Sequence, residues 1–191
     1  MTGVEATHDG IVVERATTAH RSRAVETVVA AFDHDPAFRY FFRDPVTRDA
    51  EAAAFAGYLF DARVAPATAW VISGGDSLAM WDGPGGWAGK AALPVSDEAL
   101  ARIDAYERAT RPLLPRTPHW YLGVLATHPA HAGRRLGRAV MRPGLAAAAA
   151  GGLPSYLETT NPGNVALYQR SGWTVTGTTR VDDLPIWVLT Q

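Results

Sequence analysis

Residues 120–138, WYLGVLATHPAHAGRRLGR, decide the reading of this chain. Trp120–Thr127 is β-branched, aromatic and apolar on both faces, the pattern of a strand covered on both sides in the middle of a sheet. A short loop follows, and a helix is predicted from Leu136 to about Ala150. A strand that passes through such a loop into a helix aims backbone N–H groups and the positive helix end at one spot. A phosphate or pyrophosphate is stabilised there without any side chain. Gly133 and Gly137 let the chain turn and a ligand approach, while Arg134, Arg135 and Arg138 add charge-assisted donors. No Gly-Lys-Ser/Thr follows, so this is not a P-loop. Only two glycines occur, late in the chain, so it is not the dinucleotide fingerprint either. On its own terms the loop is an anion site or a tight turn carrying solvated arginines.

Working outward, Ser155–Thr159 is predicted as a strand and Asn164–Arg170 as a helix stopped by Gly172. Two closing strands, Trp173–Thr179 and Ile186–Thr190, face each other across Asp182-Asp183. Upstream, Ile11–Ala16 is a short strand, and Thr18 is placed as the N-cap of a helix through Phe32. Asp33-His34-Asp35-Pro36 breaks that helix. After the aromatic knot of Phe38, Tyr40, Phe41 and Phe42, a second helix runs from about Thr47 to Val64. Ala69–Ser73 and Leu78–Trp81 flank Gly74-Gly75-Asp76 as a hairpin. Gly83–Pro94 reads as loop. Ser96 caps a helix with Asp97 and Glu98 in its first turn and Leu100, Ile103 and Tyr106 on its apolar face. No repeat and no linker is visible. The expectation is one α/β domain over 1–191, of mixed strand direction.

Composition narrows the chemistry. With 191 residues and 47% hydrophobic content, roughly 70% of the unfolded surface can be buried. The absence of cysteine removes disulfides, thiolate metal sites and a cysteine nucleophile. The net charge of −1 argues against a nucleic-acid-wrapping protein. Residues 119–191 nonetheless carry six arginines against Glu158, Asp182 and Asp183, a net of +3, while residues 1–118 carry −4. A polyanionic ligand therefore belongs to the C-terminal part. Lys90 is the single lysine, and this arginine- and alanine-heavy composition fits a GC-rich bacterial genome. The start, MTGVEATHDG, lacks the features of a signal peptide, and no apolar run approaches membrane-spanning length. A cytoplasmic protein, with no membrane partner, is expected.

The segment Thr127–Leu145, taken with residues 157–173, LETTNPGNVALYQRSGW, resembles the GNAT acetyltransferase superfamily. Residues 142–177, RPGLAAAAAGGLPSYLETTNPGNVALYQRSGWTVTG, are similar to its puromycin N-acetyltransferase branch. The similarity is strong over 119–190, weaker over 11–82 and slight over 83–118. It implies a mixed central sheet, splayed and flanked by helices, with acetyl-CoA as donor, a small amine as acceptor and no metal. The pantetheine arm would pair with the strand edge at Val124, Leu125, Ala126 and Thr127. The pyrophosphate would rest on Gly133, Arg134, Arg135, Leu136, Gly137 and Arg138, with Asn161 and Asn164 at the positions of pantetheine and helix-capping asparagines. The family loop reads Gln/Arg-x-x-Gly-x-Gly/Ala; here those positions are Ala132, Arg135 and Gly137. A Cβ on Arg135 crowds the pyrophosphate unless its φ stays negative and its side chain points outward. Weakened but not abolished donor binding is expected.

The same resemblance puts Tyr168 where the thiolate is served; the alternative is a core aromatic. A lysine-like amine is neutral only about once in 2,500 molecules at pH 7, a cost near 4.6 kcal/mol, so a base is useful. Glu158 is the candidate base, and a structural carboxylate ordering the Asn161 turn is the alternative. An oxyanion would be held by the amide of Leu125 or Ala126. His119, on one face with Tyr121, is a proton relay through water or a surface strand end. His34 lines the acceptor site or sits in a loop. His128 and His131 have no carboxylate nearby in sequence, so no metal is expected there. Trp81, Trp87, Trp120 and Tyr121 point to an apolar or aromatic acceptor or belong to the core, and for Trp120 the core is preferred. The 83–118 segment, an insertion before the central strand, covers the acceptor side. An amine of a small molecule, such as an aminonucleoside or antibiotic-like compound, is the expected acceptor. A protein or peptide amine, or a non-catalytic ligand-binding module, are the alternatives. The oligomeric state is not legible.

Overall fold

A computed structural model of the protein describes residues 4–8, 10–86 and 92–191; Trp87 lies outside the described residues. Its strands are β1 (Val4–His8), β2 (Ile11–Arg15), β3 (Ala69–Ile72), β4 (Ser77–Asp82), β5 (Trp120–Thr127), β6 (Ser155–Thr159), β7 (Thr174–Val181) and β8 (Leu184–Thr190). The helices are α1 (Arg21–Phe32), α2 (Pro36–Phe41), α3 (Arg48–Val64), α4 (Asp97–Thr110), α5 (Leu136–Ala150) and α6 (Pro162–Arg170). All eight strands join one sheet in the order β1-β2-β3-β4-β5-β6-β8-β7. β5 and β6 are parallel, joined through α5; every other neighbouring pair is antiparallel. β5 is thus central, as its two-faced apolarity requires.

Each face of the sheet has its own core. On one face Val28 of α1, Phe38 and Phe41 of α2, Phe60 of α3 and Ile103 of α4 cover Val71, Leu78, Met80, Val124 and Ile186. On the other, Leu136, Val140 and Met141 of α5 cover Trp70, Trp81, Leu122, Leu157 and Leu189. Each such side chain contributes about 1.5–3 kcal/mol of burial. The aromatic knot lies in the first core, where Phe38, Phe41 and Phe42 each pack on Phe55 with centroids 5.7–6.0 Å apart.

Four local features differ from the sequence reading. Asp35-Pro36 stops one helix and starts another: Asp35 accepts from the N–H groups of Ala37 and Phe38, with Pro36 in the first turn of α2. β1 pairs antiparallel with β2 across Gly10, for which the Asp9-Gly10 dipeptide is a hairpin signal. The cap before α1 is shifted from Thr18, which lies inside a one-turn 3₁₀ helix, while the Thr17 N–H donates to His20 Nδ1 at 3.0 Å. Leu100 is 37% exposed. Ala99, Ile103, Tyr106 and Thr110 form the buried stripe of α4 instead, and Leu100 stands about 100° round the helix from Ala99.

Candidate active site

The sheet parts in its middle. β5 and β6 pair at Trp120–Ser155, Tyr121–Tyr156 and Leu122–Leu157, and there the register ends. Thr127 lies five residues beyond Leu122, and Thr159 two beyond Leu157. β6 continues against β8, with Glu158 opposite Val188. β5 continues against β4 with a bulge: Met80 pairs with Val124 and Trp81 with Leu122, so Gly123 is the extra residue. The bulge therefore coincides with the parting. A Cβ on Gly123 would stand 2.5 Å from the Arg63 guanidinium, so only glycine lets that cation lie against the strand.

Of the predicted strand edge, Val124 and Ala126 are buried on the α1–α4 face and pair with Met80 and Leu78. The Ala126 carbonyl accepts from Ser77 Oγ at 3.1 Å, and the His128 N–H donates to the Asp76 carbonyl. Strand alternation then turns the main-chain groups of Ala126 toward β4 and those of Leu125 and Thr127 toward the open side.

Glu158 is the first β6 residue past the parting. Tyr121 Oη donates to its Oε2. Desolvation pushes the Glu158 carboxyl up to about 7, against the pull of the Tyr121 and Tyr106 phenols and of Arg63 and with a smaller push from Asp82. Arg63 of α3 is itself buried, donating through Nη2 to Asp82 Oδ2 at 2.9 Å and through Nη1 to the Leu59 carbonyl at 3.1 Å. Tyr168, half-buried on α6, stands edge-on to Trp173 with centroids 6.1 Å apart. Burial, then the Glu158 and Asp35 carboxylates, pushes its phenol up to about 12. Asn161 caps α6, accepting from the Gly163 N–H at 2.9 Å, and its carbonyl accepts from the Asn164 N–H at 3.0 Å. The Asn161 turn is braced by the Thr159 hydroxyl, to which the Asn161 N–H donates at 3.3 Å; Glu158 takes no part in that contact.

At the far end of β5 the loop enters α5 without a side-chain cap. The first helical bond runs from the Ala139 N–H to the Arg135 carbonyl, leaving the N–H groups of Leu136, Gly137 and Arg138 with no intrahelical acceptor. Gly133 has φ +77°. Arg135 does not keep a negative φ: it has φ +61° and ψ 17°, so arginine occupies the left-handed conformation that suits glycine. Arg134, Arg135 and Arg138 are exposed. The stretch is anion-ready through its backbone and basic at its rim.

The histidines separate. His131 does have a carboxylate close by, Asp76 Oδ2 at 3.3 Å from Nε2, brought by the β3–β4 turn that sequence proximity hid. Asp76 also takes two bonds from Arg23, and among the described residues no three His, Asp or Glu side chains are grouped as a metal site. His34 is a surface residue, 84% exposed. His119 and Tyr121, with Asp82, Leu114, Arg116 and the Gly83–Gly86 loop, line a cleft of about 370 Å³. Trp81 and Trp120 stand edge-on at 6.3 Å, with Trp81 fully buried in the α5-side core and Trp120 packed on it.

A family model described as "Acetyltransferase (GNAT) family" matches residues 12–173. The chain belongs to the GNAT acetyltransferase family. A structure described as histone acetyltransferase HPA2 and related acetyltransferase from Corynebacterium glutamicum is 28% identical, covering 94% of each chain at TM-score 0.70. The condensation domain of Ebony with beta-alanyl-dopamine superposes at TM-score 0.73 with 12% identity, over 95% of this chain and 98% of that one. Arylalkylamine N-acetyltransferase 7 from Aedes aegypti gives TM-score 0.69 and 14% identity, over 95% and 86%. The last two share the GNAT fold. Among the described residues no helix is long and apolar enough to cross a membrane.

Proposed function

We propose that this GNAT chain transfers the acetyl group of acetyl-CoA to the amine of a small molecule. The observation that carries the reading is a parted β5–β6 seam with a half-buried carboxylate at its apex. Acetyl-CoA supplies an acetyl thioester. The open main-chain groups of Leu125 and Thr127 suit its amide-bearing arm, and the uncapped start of α5, with Gly133 and the rim arginines, suits its pyrophosphate. Asn161 and Asn164 flank the seam at the head of α6.

Glu158 takes the proton of the incoming ammonium, and a carboxyl near 7 is matched to that work at neutral pH. The amine nitrogen then bonds the acetyl carbon, the carbon–sulfur bond breaks, and the second proton shed by the nitrogen as it becomes an amide is taken up by the departing thiolate. A phenol near 12 lies about 3.5 units above an ordinary thiol, about 5 kcal/mol uphill for full proton transfer. Tyr168 therefore serves as a hydrogen-bond donor to the leaving sulfur rather than as the source of its proton. The Leu125 amide, facing the seam, is placed for the oxyanion; Ala126, facing β4, is not.

The acceptor enters by the cleft of about 370 Å³ whose wall includes Tyr121, the partner of Glu158. That volume suits a small ligand, and the likeness of residues 142–177 to the puromycin branch supports an aminonucleoside or similar compound. Free-thiol release from acetyl-CoA, measured over a panel of aryl, nucleoside and peptide amines, tests the reading. Turnover of a small amine with a 10²-fold or greater loss in Glu158→Gln is expected. Acetyl-CoA binding without turnover of any amine would indicate a ligand-binding module, and turnover of peptides alone a protein acetyltransferase.

A further inference from the structure

Three polar side chains stand in a row across three neighbouring strands. Trp81 of β4, Leu122 of β5 and Leu157 of β6 are buried in the α5-side core. Alternation along each strand turns their neighbours Asp82, Tyr121 and Glu158 to the opposite face. The register sets Asp82 beside Tyr121, and Tyr121 beside Tyr156, two residues before Glu158. Tyr121 Oη reaches on to Glu158 Oε2. From α3, Arg63 Nη2 donates to Asp82 Oδ2 at 2.9 Å, and the two side chains are 4% and 14% exposed. The bare Cα of Gly123 makes room for that guanidinium. The other Asp82 oxygen accepts no hydrogen bond among the described residues, and Asp82 lines the cleft together with Tyr121. Neutralising Arg63 does not require that place on the wall.

The charges at this end of the cleft do not cancel. Arg63 pairs with Asp82 and acts on Glu158 as well, so one guanidinium faces two carboxylates. With both ionised, one negative charge is left over, and a single ammonium balances it. Arg116, the arginine of the cleft wall, is solvent-exposed, where its repulsion is screened. We propose that Asp82 is an acceptor-binding residue: held by Arg63 through one oxygen, it offers the other to the ammonium of the incoming amine and so selects acceptors that are cationic in solution. The proposal rests on the reading of this cleft as the acceptor's entrance and of Glu158 as the base. An ammonium–carboxylate hydrogen bond is charge-assisted, and a half-buried carboxylate is screened less than a surface one. Once Glu158 has taken a proton from the ammonium, the neutral amine has lost its charge attraction to Asp82 and is released toward the acetyl carbon. The seat holds the cation and lets go of the nucleophile.

The test compares phenethylamine, a cation at neutral pH, with its uncharged isostere 2-phenylethanol. Dissociation constants for both are measured by NMR titration of the full chain and of Asp82→Asn, and need no turnover. The unaltered chain is expected to bind the amine roughly 10-fold or more tightly than the alcohol. Asp82→Asn is expected to lose that preference while holding the alcohol as before, whereas a merely structural aspartate would weaken both ligands alike. No preference in the unaltered chain, or a preference that survives in Asp82→Asn, overturns the proposal. A preference that depends on Asp82, without free-thiol release from acetyl-CoA, supports the cation seat while removing acetyl transfer as its purpose. Asp82→Asn strands the Arg63 cation. If that variant does not fold, the side-chain ¹³Cγ resonance of Asp82 in the unaltered chain decides: it moves with phenethylamine and not with 2-phenylethanol, or the proposal fails.

Discussion

Arg135 is the residue most at odds with its backbone. A left-handed φ costs a residue with a Cβ roughly 1–2 kcal/mol relative to glycine, and no side-chain cap at the head of α5 offsets that cost. Arg135→Gly is expected to raise unfolding stability by about 1 kcal/mol in urea and to tighten acetyl-CoA binding by calorimetry. Lower stability together with weaker binding would show that the arginine earns its place through charge. At this scale the sequence was legible where chemistry is local. Glu158 and Tyr168 lie within a short, well-spaced run; Glu158 stands just past the parting and Tyr168 packs edge-on to Trp173. The groups that tune Glu158 lie far off in sequence. Arg63 and Asp82 come from 95 and 76 positions upstream of it, and nothing in residue type or spacing marks them. Tyr106 is legible as an apolar-face residue of α4, and it is buried there.

Among the elements, α4 leads directly into Leu114, Arg116 and Thr117 of the cleft wall, so its seating bears on the shape of that cleft. Ser96 accepts from the Ala99 N–H at 3.2 Å. Ser96→Ala is expected to cost about 1 kcal/mol of stability by chemical denaturation, while the Ser96 N–H keeps its bond to Glu51 Oε1 at 2.9 Å. An unchanged denaturation midpoint would mean that packing on Phe41 and β7 alone holds the helix. The start of α4 is readable from Ser96-Asp97-Glu98, whereas its buried face runs through Ala99 rather than Leu100. Apolar character at a single position cannot distinguish neighbouring faces when Ala99 and Thr110 do the packing. α2 is not legible in the sequence because an aspartate–proline pair ends a helix as readily as it begins one. The long strands and α3, α5 and α6 were legible because several turns or alternations agree in each.

For the molecule as a whole, the desolvation that raises the Glu158 carboxyl costs stability at neutral pH. Glu158 has its carboxyl raised from 4.5 to about 7 in the folded chain. Between those values the folded state binds more protons than the unfolded one, so stability falls as pH rises through this window. Below pH 4.5 the group is protonated in both states and contributes nothing. Above 7 the full penalty, about 1–3 kcal/mol, is in place. Glu158→Gln is expected to match the unaltered chain near pH 4.5 and to melt several degrees higher at pH 8; equal melting temperatures at pH 8 would sink this account.

The three rungs that join β5 to β6 have a mechanical consequence. The sheet is two plates on a short hinge, β1–β5 on one side and β6–β8 on the other. α2 and α4, though they come early in the chain, reach across to touch β8 and β7. The Tyr121–Glu158 bond is the latch nearest the pivot. On the reading proposed above, a donor in the gap would lie between the plates, where Asp82, Arg63 and Tyr121 on one side face Glu158 on the other.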